Sequence, residues 1–276
     1  MVKFDTINYW SEIKLDIVKD YAAAYSKIIT SQNSIKEHAY IDAFAGTGMH
    51  LSRESGEPIP GSPLNALEIS PPFKKIYLID LDKAKYHSLK LLTKEKPNVS
   101  VFEGDCNDIL LEKVFPHVRY EDFRRGLCLL DPYGLHLNWD VIFKAGQMKS
   151  IEIFLNFPVM DMNQNVLWRN PENVEPAQAA RMNAFWGSDS WKKAVYETQS
   201  SLFGWPEKVP DANTAIVEAF QKRLKEVAGF SYVPEPIPMR NSKGATVYYL
   251  FFASQNQVGS KIVNEILNKY RDKGKS

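Results

Sequence analysis

The stretch Ile41-Asp42-Ala43-Phe44-Ala45-Gly46-Thr47-Gly48 decides the fold. It closes a short apolar run from Ala39 to Phe44 and then breaks on two glycines. A run of that length bounded by turn signals reads as a buried strand. The glycines after it read as a loop where backbone approaches a ligand with no Cβ in the way. Upstream, Ile13, Ile17, Tyr21, Tyr25 and Ile28 recur at helical spacing, which predicts a helix from Asn8 to about Thr30. Ser52 to Pro63 reads as an ordered loop rich in Gly, Pro and Ser, and Leu64 to Ile69 as a helix after Gly61-Ser62-Pro63.

Four more apolar runs continue the pattern: Lys75 to Asp80, Val99 to Asp105, Gly126 to Asp131 and Ile151 to Phe157. Helical segments separate them, one running to Leu92 and another opening at Asp108. Strands alternating with helices predict an α/β, Rossmann-like fold, a mostly parallel central sheet with helices on both faces. The alternation stops after Pro158. A single domain over 1–276 is expected, with an N-terminal helical segment at 1–38 and a cofactor-binding core at 39–158. A Trp-rich helical insertion at 159–210 follows the fifth strand, and 211–276 holds a helix, a strand pair and a last helix. The strand pair is expected at Phe230 to Val233 and Ala245 to Ala253, joined by a turn through Pro234, Pro236 and Pro238.

The chain has 34 Lys+Arg against 33 Asp+Glu, a formal charge of +1, with 44% hydrophobic and 24% charged residues. Those are globular proportions, so wholesale disorder is excluded. The even balance argues against a protein that holds nucleic acid mainly through a basic surface. Cys106 and Cys128 form no disulfide scaffold, and neither they nor His50, His87, His117 and His136 show metal-ligand spacing, so no metal is expected. The early charges predict no signal peptide and no apolar run suits a membrane, so a cytoplasmic location is the expectation.

Chemistry is concentrated at the strand ends. Open α/β sheets bind ligands beyond the carboxyl ends of their strands. Four successive predicted strands end in Asp42 with Gly46, then Asp80, Asp105 and Asp131. One such aspartate is an ordinary cap or turn residue. Four in order suit a nucleoside with a charged tail. Asp80 is placed to accept ribose hydroxyls, and Asp105, next to Cys106, to accept from an adenine amino group. A phosphate-loop signature is absent.

This series resembles the class I S-adenosylmethionine-dependent methyltransferases, with Asp42 to Gly48 as their first motif and Asp80, Asp105 and Asp131 at the next three. Within that superfamily the chain resembles the three-Cys-motif partner protein family. The matching stretches are Ile41 to Gly48, Pro60-Gly61-Ser62-Pro63-Leu64, Leu130-Asp131-Pro132-Tyr133-Gly134-Leu135, Leu155-Asn156-Phe157-Pro158 and Tyr248 to Ser254, which span nearly the whole chain. The resemblance implies S-adenosyl-L-methionine as cofactor, held by Asp42, Phe44, Ala45, Gly46, Thr47, Gly48, Ser62, Asp80, Asp105 and Cys106. It also implies a partner protein carrying three cysteines.

A more distant likeness is to a bacterial large-subunit ribosomal RNA adenine-N6 methyltransferase family, which carries Gly-Ser-Pro-Leu and Asp-Pro-Pro-Tyr. Gly61 to Leu64 matches the first fully, and Asp131-Pro132 matches the first half of the second. The likeness implies catalysis at Asp131, Pro132 and Tyr133. An exocyclic amine is a poor nucleophile because its lone pair is delocalised. The Asp131 carboxylate and the Pro132 carbonyl, each accepting one amine proton, aim that lone pair at the methyl. Gly134 stands where the other family has its stacking tyrosine, so Phe157, beside Asn156, is the candidate for the missing face. The likeness matches Lys19 to a lysine of those enzymes, although Lys19 lies about 200° around the helix from Ile17 and also reads as a surface lysine.

The expected function is therefore methyl transfer to an amino nitrogen, with an RNA or DNA adenine as first substrate. The competing expectation is a silent cofactor-binding protein that docks to the three-cysteine partner. The Trp-rich insertion (Trp168, Trp186, Trp191, Trp205) reads as packing before base stacking, since Asp161 to Pro210 holds five Lys/Arg against six Asp/Glu.

Overall fold

In the computed structural model, which describes residues 5–197 and 207–271, seven strands join into one sheet. They are β1 (Glu37–Asp42), β2 (Lys75–Asp80), β3 (Val99–Glu103), β4 (Arg124–Leu130), β5 (Ile151–Phe157), β6 (Ile237–Arg240) and β7 (Thr246–Ala253). Across the sheet they run 3-2-1-4-5-7-6. β1 to β5 are parallel, β7 is antiparallel to β5, and β6 is antiparallel to β7. This is the Rossmann-like arrangement of the class I methyltransferase fold. The strand order reverses at β1, which has β2 on one side and β4 on the other, and that switch point opens the crevice for a ligand.

Ten α-helices occur among the described residues: α1 (Tyr9–Thr30), α2 (Ser62–Leu67), α3 (Lys83–Leu92), α4 (Cys106–Ile109), α5 (Trp139–Met148), α6 (Val159–Asn165), α7 (Pro176–Trp186), α8 (Lys192–Val195), α9 (Ala212–Glu226) and α10 (Gln257–Arg271). The alternation of side chains along the strands builds two cores. Tyr40, Leu78, Leu129, Phe154 and Leu250 pack with Ile17, Tyr21 and Val263 of α1 and α10. Ile41, Cys128, Ile153 and Phe251 pack with Ile142, Phe185 and Phe220 of α5, α7 and α9. Burial on both faces explains why these strands read as unbroken apolar runs.

The structure differs from the sequence reading in three places. The stretch read as a loop after Ser52 contributes to a separate three-stranded ribbon, in which Met49–Ser52 pairs in parallel with Asp5–Ile7 and antiparallel with Pro58–Pro60. The first strand of the terminal pair is not Phe230 to Val233, which makes only a bridge from Tyr232 to Ser254; it is β6, which starts within the proline-rich turn and runs on to Arg240. Pro238 is tolerated there because β6 is an edge strand and needs no donor on its outer side. The helix expected to open at Asp108 starts at Cys106 instead, because the Asp105 carboxylate accepts from the Asn107 amide at 2.8 Å and caps it.

In the insertion, Trp186 and Trp191 are buried and Trp168 is partly exposed. Trp205 and the charged tail after Arg271 lie outside the described residues.

Candidate active site

The loop after β1 is built by its glycines. Gly46 and Gly48 have φ of +67° and +86°, a backbone conformation that L side chains rarely adopt. A Cβ on Gly48 would lie 2.7 Å from Leu92 Cδ2, so α3 packs directly on bare backbone. The Gly61 amide donates to the Gly48 carbonyl at 2.8 Å, which ties the start of α2 to the loop. Asp80, at the end of β2, accepts from the Gly46 amide through Oδ2 at 2.8 Å and from the Asp82 amide through Oδ1 at 2.9 Å. Its carboxylate is thereby fixed beside the loop with lone pairs to spare. Phe44, Ala45 and Thr47 complete the loop; the Ala45 amide donates to Ile79 and the Thr47 hydroxyl donates to the Met49 carbonyl.

Asp42 takes a different place from the one expected. It is fully buried beneath the loop, where Oδ1 accepts from the Phe44 amide at 3.3 Å and Oδ2 has no hydrogen-bond partner. Burial pushes its carboxyl up to about 7, against the Ser62 hydroxyl, the Phe44 amide and Lys14, which favour the ionised form. Ser62 lies near enough to act on the charge without completing a hydrogen bond to Oδ2. Asp42 and the buried Ser62 support the loop from below and do not line an open face.

On the far side of β2, Asp105 is exposed and Cys106 buried. Burial pushes the Cys106 thiol up to about 12, so it is a neutral packing group. Asn107, unmarked in the sequence reading, joins this corner to the next one. Its side chain donates to Asp105 and to the His136 carbonyl and accepts from the Asn138 amide at 2.7 Å.

Asp131 stands just past the end of β4, half-buried. Lys14 of α1 donates to its Oδ2, and the Asn156 side chain, from the end of β5, donates to its Oδ1 at 2.8 Å. The Lys14 side chain is only 8% exposed. Burial would lower its pKa, but Asp131 and the neighbouring Tyr248 outweigh that and raise it. Lys14 is therefore a fixed cation in the site. Pro132 is buried behind Asp131, and Tyr133 projects into solvent at 82% exposure.

Two expected substrate residues are placed elsewhere. Lys19 pairs with Glu68 at 3.6 Å on the surface, because its position on α1 turns it away from the sheet. Phe157 is fully buried, its ring packed in the core against Phe185, Phe220 and Phe251. Lys14 is the lysine that reaches the site. Its signal in the sequence was a charge on the apolar stripe Lys14, Val18, Tyr21, Tyr25, all of which are buried.

His50, from the ribbon strand Met49–Ser52, sits over the glycine loop. Its Nδ1 is buried without a hydrogen-bond partner. Burial holds its pKa below the ordinary value, with Lys14 adding to the effect. No group of three His, Cys, Asp or Glu side chains able to hold a metal occurs among the described residues, and no helix there is long and apolar enough to cross a membrane.

No protein-family model matches the sequence, and no curated protein does. Among solved structures, the chain is similar to the Legionella pneumophila protein LPL1258 of the DUF519 family, with 14% identity and a TM-score of 0.55 over 94% of this chain and 93% of that one. A DUF574 family protein from Streptomyces avermitilis is 13% identical over 89% and 83% of the two chains, with a TM-score of 0.43. A candidate methyltransferase from Thermobifida fusca is 14% identical over 86% and 80%, with a TM-score of 0.41. The likeness to LPL1258 is one of fold and covers nearly the whole of both chains.

Proposed function

We propose that the protein is an S-adenosylmethionine-dependent methyltransferase acting on an exocyclic amino nitrogen, with an adenine of RNA or DNA as first substrate. One observation carries this reading: a carboxylate at the end of β4, Asp131, is oriented by Lys14 and Asn156 beside a glycine loop that Asp80 pins.

The residues present suit the cofactor. In the strand order 3-2-1-4, Asp105, Asp80, the loop from Phe44 to Gly48 and Asp131 fall in sequence along one edge of the sheet. Neighbouring strands are about 4.8 Å apart, so the four positions cover roughly 15 Å. That suits adenine, ribose, charged tail and acceptor in turn. Gly46 and Gly48 supply the positive-φ turns that bring the loop round beside Asp80, and His50 carries an unpartnered ring nitrogen. The cofactor supplies a methyl group on a sulfonium, electrophilic without further activation.

The protein's part is to aim the acceptor. Lys14 holds a positive charge against one oxygen of Asp131, and Asn156 sets the plane of the carboxylate. The remaining lone pairs of Asp131 and the Pro132 carbonyl each accept one amine proton, which frees the nitrogen lone pair. Both acceptors are placed before the substrate arrives, and such preorganisation is the main source of catalysis in sites of this kind. Tyr133, exposed at the mouth, is the aromatic available to cover a base. The even charge of the chain suits a polyanion held with help, and the three-cysteine protein implied by the family resemblance is proposed as that partner.

The test is transfer of labelled methyl from S-adenosylmethionine to RNA, DNA and protein fractions, with and without the partner, using Asp131→Ala as control. Label in a nucleic-acid fraction that is lost in the variant supports the reading. Cofactor binding without label in any fraction would favour the docking protein instead.

A further inference from the structure

His50 lies opposite Asp5 in the ribbon and folds back over the loop that follows β1. A Cβ on Gly46 would be 3.7 Å from its Cε1, and a Cβ on Gly61 would be 3.0 Å from its Nε2. The ring is therefore seated against two stretches of glycine backbone, with Cε1 toward Gly46 and Nε2 toward Gly61. Its Nδ1 is buried and has no hydrogen-bond partner. A buried polar atom left unpaired is costly and calls for an explanation. Here the unpaired atom belongs to a ring that borders the loop assigned to the cofactor.

We infer that His50 recognises the aminocarboxylate end of the cofactor, its Nδ1–H donating to the carboxylate. This rests on the cofactor reading above and adds a residue to it. Asp80 and the glycine loop stand at the ends of adjacent strands. With the ribose at Asp80, whatever the ribose carries at its 5′ side continues over β1 toward β4, beneath His50. The charged groups acting on the ring are Lys14 from α1, Asp131 from the end of β4, Asp5 from the ribbon and Lys85 from α3. Asp5 and Asp131 favour a charged ring, whereas burial and the two lysines favour a neutral one and prevail. A neutral imidazole has one N–H to give, and a hydrogen bond to a carboxylate is among the stronger kinds.

The experiment compares two ligands by calorimetry. S-adenosylhomocysteine carries the aminocarboxylate; 5′-methylthioadenosine has the same nucleoside and sulfur without it. His50→Ala is expected to weaken S-adenosylhomocysteine tenfold or more and to leave 5′-methylthioadenosine within twofold. His50→Asn, whose side-chain amide falls near Nδ1, is expected to recover most of the loss. Equal weakening of both ligands, or of neither, overturns the role of His50 while the cofactor reading stands. If the unmodified protein binds neither ligand, the cofactor reading itself fails and the assignment of His50 goes with it.

Discussion

Lys14, on the buried stripe of the first helix, donates to Asp131 at the end of the fourth strand, 117 positions further along the chain. The contact joins α1 to the edge of the sheet where the proposed chemistry occurs. It also places an opposite charge on the one carboxylate whose orientation matters most. A pair so shielded is sensitive to the loss of either member, because the survivor is left as an uncompensated charge.

Lys14→Met is therefore expected to destabilise the protein by about 2–4 kcal/mol, somewhat under the roughly 3–5 kcal/mol for a fully buried pair because the Asp131 side chain is 24% exposed. Asp131→Asn should cost a similar amount. The double variant should recover much of the stability and none of the activity. Urea unfolding of the four proteins gives the coupling; additive losses would mean that the pair does not act as a unit.

The same pair shows what was legible in the sequence. Asp42, Asp80, Asp105 and Asp131 stood out because each ends an apolar run, a signal contained within ten residues. Lys14 has its partner in a distant element, and a lysine on an apolar stripe signals burial only once something is known to receive it. The ribbon was hidden for a related reason: its strands are three or four residues long, and the first of them pairs with a segment more than forty positions away. Lys19→Ala checks the correction. An exposed pair at 3.6 Å contributes little, so stability should move by less than about 0.5 kcal/mol and methyl transfer should not change.

Phe157, expected at the acceptor face, is a core residue, which leaves the exposed Tyr133 as the aromatic proposed there. Phe157→Ala removes a ring from the core and should cost about 3–5 kcal/mol. Tyr133→Ala touches a side chain 82% exposed, so stability should be unaffected. Its effect is expected in KM for a nucleic-acid acceptor, with kcat largely kept. An unchanged KM would remove Tyr133 from the acceptor surface.

Gly48→Ala tests the loop. A φ of +86° strains any L residue, and the new Cβ would lie 2.7 Å from Leu92 Cδ2. The strain alone is worth about 1–2 kcal/mol. Leu92→Ala added to Gly48→Ala should relieve the contact and not the strain, so a partial recovery of the melting temperature is expected. Full recovery would show that the backbone conformation at Gly48 costs nothing.

Glu152 gives stability a pH dependence of its own. It is buried on β5, where it accepts from the Tyr21 and Ser254 hydroxyls. Burial pushes its carboxyl from 4.5 up to about 7, and the two hydrogen bonds offset part of the shift. Below pH 4.5 the group is protonated in both states and costs nothing. As pH rises toward 7, the unfolded chain releases the proton while the folded protein keeps it, so stability falls. Above that the folded state carries a buried charge and the loss levels off, at about 3 kcal/mol for a shift of this size. Asp42, pushed up to about 7 by its own burial, acts in the same direction. Glu152→Gln is thus expected to gain stability at pH 8 relative to the unmodified protein and to lose about half of the decline between pH 4.5 and 8. Adding Asp42→Asn should remove most of the remainder. Urea unfolding at pH 4.5, 6 and 8 measures the slope; an unchanged decline in Glu152→Gln would mean that the charge on Glu152 is already compensated in the fold.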